Sequence, residues 1–145
     1  GTKHFSSIDL TLDGGFIFLG TTDENLANYD DGNYSDVTIY KTDSEGNQEW
    51  SRVFDSERYD YAWRGIHQTP DGGYIFISRT SSYIYKVNSE GEEEWRNESL
   101  EGFTGGSMNA LDMIIAQDNN FIIIGYKVDG EITIFKISEQ GNQLF

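Results

Sequence analysis

Asp13-Gly14-Gly15-Phe16-Ile17-Phe18 is the stretch on which the fold turns. It returns as Asp71-Gly72-Gly73-Tyr74-Ile75-Phe76, and again, altered, as Asp118-Asn119-Asn120-Phe121-Ile122-Ile123. A second phrase follows each copy. Ile39-Tyr40-Lys41 leads through Ser44-Glu45-Gly46 to Trp50, Ile84-Tyr85-Lys86 through Ser89-Glu90-Gly91 to Trp95, and Ile134-Phe135-Lys136 through Glu139-Gln140-Gly141 to Phe145. Self-similarity at this spacing marks a repeat architecture, in which a recurring residue usually builds the repeat.

Each unit divides into four short segments of strand character. They run over 4–12, 15–22, 35–42 and 47–54 in the first unit, over 61–69, 73–80, 82–87 and 92–98 in the second, and over 107–116, 120–126, 131–137 and 142–145 in the third. These segments are rich in Ile, Tyr, Phe, Trp and Thr, which suit a pleated, half-buried surface. No sustained i, i+3, i+4, i+7 apolar pattern occurs, so helix content should be low. The links Asp13-Gly14, Asp71-Gly72 and Asp118-Asn119 tolerate positive φ and make tight hairpin turns. Gly46, Gly91 and Gly141 mark a second set of hairpins. Each unit therefore reads as a four-stranded antiparallel meander. The expected fold is all-β: three four-stranded antiparallel β-propeller blades, a half or partial propeller, over about 1–58, 59–104 and 105–145.

The phrases also resemble a known family. The Asp-Gly-Gly-(Phe/Tyr)-Ile-Phe strand, the later Ile-Tyr-Lys strand and the turn ending in Trp50 or Trp95 look like the Asp-Gly-Gly-Tyr β-propeller repeats of secreted and cell-surface bacterial and archaeal proteins. The resemblance covers essentially the whole chain. It implies propeller blades and an extracellular or cell-surface location, and says almost nothing about activity. The third unit departs from the pattern at Asn119-Asn120 and at Phe145, as a terminal or drifting repeat would.

Bulk composition narrows the function classes. The chain has 145 residues, enough for one domain. Twenty-five acidic residues against 10 basic ones leave a net charge of −15, which disfavours a basic nucleic-acid footprint. With no cysteine, disulfides, thiolate metal sites and cysteine nucleophiles are excluded. No stretch approaches the roughly 20 apolar residues of a membrane helix. The chain starts at Gly1, which leads us to expect a processed or excised piece. Asn33-Tyr34-Ser35 and Asn97-Glu98-Ser99 match the glycosylation pattern, a pattern compatible with secretion.

Three blades are too few to close a ring, which needs about four to eight. Self-association through blade edges or faces is the expected remedy, first as a six-bladed homodimer with C2 symmetry. Excision from a longer chain and an open polymer are the alternatives.

Most of the extra length of the first unit is a loop between Gly20 and Asp36. Non-repeated loops are where individual function tends to sit. This loop shares an end of the blades with the connection around Tyr59 and Tyr61. Aromatic rings flanked by Asp and Asn hold sugars by stacking and hydroxyl contacts. Tyr29, Asp30, Asp31, Tyr34, Tyr59 and Tyr61 are accordingly the candidate ligand-binding residues, for a glycan or a protein. A solvated acidic loop is the leading reading of its carboxylates. A Ca²⁺ site at Asp23, Asp30 and Asp31 is the alternative, and no other cofactor is expected. Trp63 reads first as blade packing. Catalysis is not expected: His4 and His67 have no metal-binding spacing, and no Gly-x-Ser-x-Gly elbow occurs. Lys41, Lys86 and Lys136 recur at one position, which implies either solvated heads on packed stems or a repeated ion pair. The functional expectation is an extracellular binding or adhesion module. A polymeric building block and a fragment of a larger propeller enzyme are the alternatives.

Overall fold

The computed structural model describes residues 2–23, 36–54, 62–78, 83–97, 109–126 and 130–145. Regular structure among them is entirely β-strand, in three separate antiparallel sheets that follow one another along the chain. Sheet 1 contains Thr2–Leu10 (β1), Phe16–Asp23 (β2), Asp36–Thr42 (β3) and Gln48–Phe54 (β4). Sheet 2 contains Ala62–Gln68 (β5), Tyr74–Ser78 (β6), Ile84–Val87 (β7) and Glu93–Asn97 (β8). Sheet 3 contains Asn109–Ile115 (β9), Phe121–Tyr126 (β10) and Ile132–Ile137 (β11). In each sheet every strand pairs with its neighbour in sequence, so all three are meanders. No helix among the described residues is long and apolar enough to cross a membrane.

The sequence reading expects a fourth strand over 142–145 in the third unit, and here the structure differs. Only Gln143 bridges Ile137, with further bonds from Leu144 N–H to the Lys136 carbonyl and from Lys136 N–H to the Phe145 carbonyl.

The repeated turns explain the repeated residues. In the first hairpin, Thr11 N–H donates to Gly15 O at 3.0 Å and Gly14 N–H to Thr11 O at 2.9 Å. That geometry puts Gly14 at φ 84° and Gly72 at φ 88°, where glycine carries no side-chain penalty. Asn119 takes the same place at φ 60°, a conformation that asparagine tolerates better than most residues. The second set of hairpins is held by Asp43, whose Oδ1 accepts from Glu45 N–H at 2.9 Å and Asn47 N–H at 2.8 Å. Asn88 does the same for Glu90 and Glu92. These are turn-closing contacts.

Sheet 2 lies between the other two. Its central strands are buried throughout. One face packs Ile66, Tyr74, Phe76, Tyr85 and Val87 against Ile17, Leu19, Val37 and Ile39 of sheet 1. The other face packs Ile75, Ile77 and Ile84 against Met113, Phe121, Ile123, Phe135 and Ile137 of sheet 3. Alternation along each strand sends successive side chains to opposite faces, so one strand serves both interfaces. The closest backbone approach between sheets is at their first strands, β1 to β5 and β5 to β9.

Candidate functional site

The candidate ligand residues Tyr29, Asp30, Asp31, Tyr34, Tyr59 and Tyr61 lie outside the described residues. Asp23, the remaining candidate for a metal, closes β2 opposite Thr2. Among the described residues no group of three or more His, Asp or Glu side chains is placed to share a metal ion. The strands that flank these segments are ordered about them. β2 ends at Asp23 beside the start of β3, and β4 ends at Phe54 beside Val37 at that same end. The tight turns 11–15 and 43–47 lie at the opposite end.

At the turn end, a buried lysine ties the two hairpins together in sheet 1 and again in sheet 2. Lys41 Nζ lies 2.8 Å from Asp13 of the first hairpin and 2.6 Å from Glu49 beyond the second, and donates to the Thr42 carbonyl at 2.8 Å. Lys86 repeats the set with Asp71 at 2.9 Å, Glu94 at 2.6 Å and the Val87 carbonyl at 3.2 Å. Three acceptors match the three protons of an ammonium group. Of the two readings of these lysines, the ion pair is correct and the solvated head is not. The adjacent glycine is a matter of space. A Cβ at Gly15 would fall 2.1 Å from the Thr42 carbonyl oxygen and 2.8 Å from Lys41 Nζ, and one at Gly73 would fall 2.3 Å from the Val87 carbonyl oxygen.

The third sheet lacks both parts of this arrangement. Asn120 replaces the glycine, and Leu144 stands where Glu49 and Glu94 stand. Among the described carboxylates Lys136 keeps only Asp118, and its side chain is 22% exposed against 4% for Lys41 and Lys86.

The lysines set the charge state of their aspartates. Hydrogen bonds from Lys41 first, then the Thr11 hydroxyl and Gly15 N–H, hold the Asp13 carboxyl well below the usual range. Burial acts to raise Asp71, but the Thr69 hydroxyl, Lys86 and Gly73 N–H outweigh it and lower it. Asp118 is lowered to about 2, chiefly by Lys136 and then by Asn120. Lys41 is raised, since Asp13 and Glu49 together outweigh the cost of its burial.

Beside the second latch, between sheets 2 and 3, is a cleft of about 260 Å³ whose walls include Pro70, Asp71, Lys86, Asn119, Phe121 and Glu139. It is smaller than the roughly 300–1,000 Å³ of most small-molecule sites. Its one buried cation, Lys86, already has three acceptors, so that ammonium group has no proton left for an incoming anion.

The sheets are also joined across their edges. Near the first strands, Ser7 Oγ accepts from Gly65 N–H at 3.3 Å, His67 Nδ1 lies 3.1 Å from Asp9 Oδ2, and Leu12 N–H donates to Gln68 Oε1 at 2.6 Å. His67 Nε2 is buried without a hydrogen-bond partner among the described residues. Near the fourth strands the joint is aromatic. The Trp50 ring lies against Gly91 and 5.8 Å from the Tyr74 ring. Trp95 repeats this against Gly141 and 6.3 Å from the Phe121 ring, and its indole N–H donates to the Glu139 carbonyl at 3.0 Å. A tryptophan from each of sheets 1 and 2 thus covers the turn glycine of the next sheet.

Both outermost faces repeat the buried interfaces without a facing sheet among the described residues. On sheet 1, Ile8, Phe16 and Phe18 occupy the places of Ile66, Tyr74 and Phe76, and Ile8 is 57% exposed. On sheet 3, Ile122, Ile124 and Ile134 occupy the places of Ile75, Ile77 and Ile84, and Ile134 is 53% exposed. The tryptophan joint is split in the same way. No described residue lies within 4 Å of a Cβ built on Gly46, the counterpart of Gly91 and Gly141. Phe145, the counterpart of Trp50 and Trp95, is 62% exposed. Every one of these equivalences is legible in the repeat alignment. Which sheet each tryptophan covers is not.

No family model and no curated protein matches this chain. Its fold is similar to that of a crystal structure of a protein of unknown function from Bacteroides caccae, with a TM-score of 0.67 at 9% identity. The match covers 99% of this chain and 45% of that one, so the chain spans less than half the length of the solved protein.

Proposed function

We propose that the three sheets are successive blades of a β-propeller, and that the chain is a binding or adhesion module at the cell surface rather than an enzyme. The observation that carries this reading is the pair of joints between sheets. First strands approach closely, while fourth strands reach the next sheet through a tryptophan on a turn glycine, as wedges around an axis would. The repeated polar residues have structural partners: the lysines close hairpins, and Asp43 and Asn88 close turns. That leaves recognition to the non-repeated segments 24–35 and 55–61 at the far end of the strands. The resemblance to Asp-Gly-Gly-Tyr repeats favours the extracellular placement.

Tyr29, Asp30, Asp31, Tyr34, Tyr59 and Tyr61 are the residues proposed for contact, with a glycan as the preferred ligand class. A glycan array tests this, with Tyr29→Ala and Tyr34→Ala as controls. Binding that both substitutions weaken supports the reading. No binding, or binding indifferent to both changes, contradicts it. The same array with and without Ca²⁺ tests the metal alternative at Asp23, Asp30 and Asp31.

A second reading, a structural block without a dedicated ligand, is favoured by the two open apolar faces. Contiguous apolar surface of this kind marks an interaction site or an aggregation liability in a soluble protein.

A further inference from the structure

We infer that the open face of sheet 3 and the open face of sheet 1 are two halves of one interface, and that their occupant is a second copy of this chain. The inference rests on the blade reading and adds to it a partner, a polarity and a contact. Inside the chain the same interface occurs twice. Each time the face carrying Ile17/Leu19 or Ile75/Ile77 meets the face carrying Tyr74/Phe76 or Phe121/Ile123. Ile122 and Ile124 continue the first series, and Phe16 and Phe18 continue the second. The joint is therefore head-to-tail: face of one kind against face of the other, never like against like.

The aromatic joint fixes the contact. Phe145 of one copy covers Gly46 of the next and lies beside Phe16, as Trp50 covers Gly91 beside Tyr74 and Trp95 covers Gly141 beside Phe121. Both the knob and the socket are present on one chain, and each lacks its counterpart among the described residues. This self-complementarity selects a second copy over an unrelated partner. Two such joints related by a two-fold axis close six sheets into a ring. Each copy carries a net charge of −15, so screening by salt favours the pair.

Native mass spectrometry and sedimentation of substituted chains test the joint. Gly46→Asn fills the socket at a φ that asparagine tolerates, and should weaken dimerisation about 100-fold through steric conflict with Phe145. Phe145→Asp should weaken it at least as much, and Phe145→Trp should tighten it. Circular dichroism of each variant shows whether the sheets remain. Mixing Gly46→Asn with Phe145→Asp brings one intact knob to one intact socket, so the mixed pair should form more readily than either variant with itself. A monomer at all concentrations would overturn the inference. So would a dimer insensitive to Gly46→Asn, or one broken only by Phe145→Asp, which would mean like faces meet. Unlimited growth would overturn the closed ring. The glycan array reads a different end of the molecule, so failure there leaves this result standing, and the reverse.

Discussion

Trp50 lies on Gly91, close enough that a Cβ at residue 91 would come within 2.8 Å of the indole ring. The contact joins the fourth strand of one sheet to a hairpin of the next, and it sets a comparison that separates packing from backbone conformation. Gly46 and Gly91 share the turn and nearly the same φ, 87° and 78°. Gly91→Asn should therefore cost about 2 kcal/mol by displacing Trp50. Gly46→Asn should cost under about 0.5 kcal/mol, because asparagine accepts this conformation and meets no described atom. Urea unfolding of the two variants, at a concentration where the chain is monomeric, reads the difference. Equal losses would show that the turn, not the ring, sets the cost.

The buried lysine latch should behave as a unit. Lys86→Ala removes a stem packed in the sheet and leaves Asp71 and Glu94 without their cation, so a loss of about 2 kcal/mol is expected. Lys136→Ala should cost less than half as much, since that side chain is more exposed and has a single carboxylate partner among the described residues. Gly73→Ala should be worse than either, about 3 kcal/mol, because the Val87 carbonyl cannot move without breaking its strand. Thermal unfolding of the three variants gives the order directly.

The third sheet can be repaired by the same logic. Asn120→Gly restores the space that Lys41 and Lys86 use, and Leu144→Glu restores the second carboxylate. Each change alone should be neutral or mildly harmful, glycine costing about 0.5–1 kcal/mol in chain entropy. Together they should show a favourable coupling of about 1 kcal/mol in a double-mutant cycle. Strict additivity would mean that Lys136 does not move inward.

Acid should weaken the fold through the latch aspartates. Asp13, Asp71 and Asp118 are all lowered in the folded chain, against about 3.9 for a free aspartate. A lowered carboxyl contributes stability that is full above about pH 5 and is lost as pH falls through 4 toward the folded value. Lys41 has the opposite sense: raised in the folded chain, it contributes fully below about pH 10 and loses this as pH climbs through its folded value. Stability measured between pH 5 and 3 should fall less steeply in Asp71→Asn than in the parent chain. An unchanged slope would remove the latch from the acid response.

The sequence carried the architecture because the turns are local. Asp13-Gly14, Asp71-Gly72 and Asp118-Asn119 announce hairpins through their own φ preferences, and alternation of Ile with Tyr or Phe announces strands with two buried faces. The latch was half legible. The lysine recurs in register, but whether its head meets solvent or Asp13 and Glu49 depends on how two hairpins at one end of a sheet approach each other. Loss of the latch in the third unit was visible as Asn120 and Leu144, yet its meaning needed the distance from residue 15 to Lys41. The fourth strand of the third unit was over-read, since Asn142 to Phe145 has the pattern but forms only one bridge. The tryptophan joint was least legible. Trp50 and Trp95 plainly belong to the repeat, while their partners Gly91 and Gly141 lie in the following unit. The proposed ligand residues sit in segments without repeats, where no periodic pattern constrains them.

Small-angle X-ray scattering of the unmodified chain over a concentration series tests the central claim most directly. The account predicts a particle of twice the chain mass with a radius of gyration of about 19 Å, as expected for a compact body of that size. A particle of single-chain mass near about 15 Å at every concentration would contradict it.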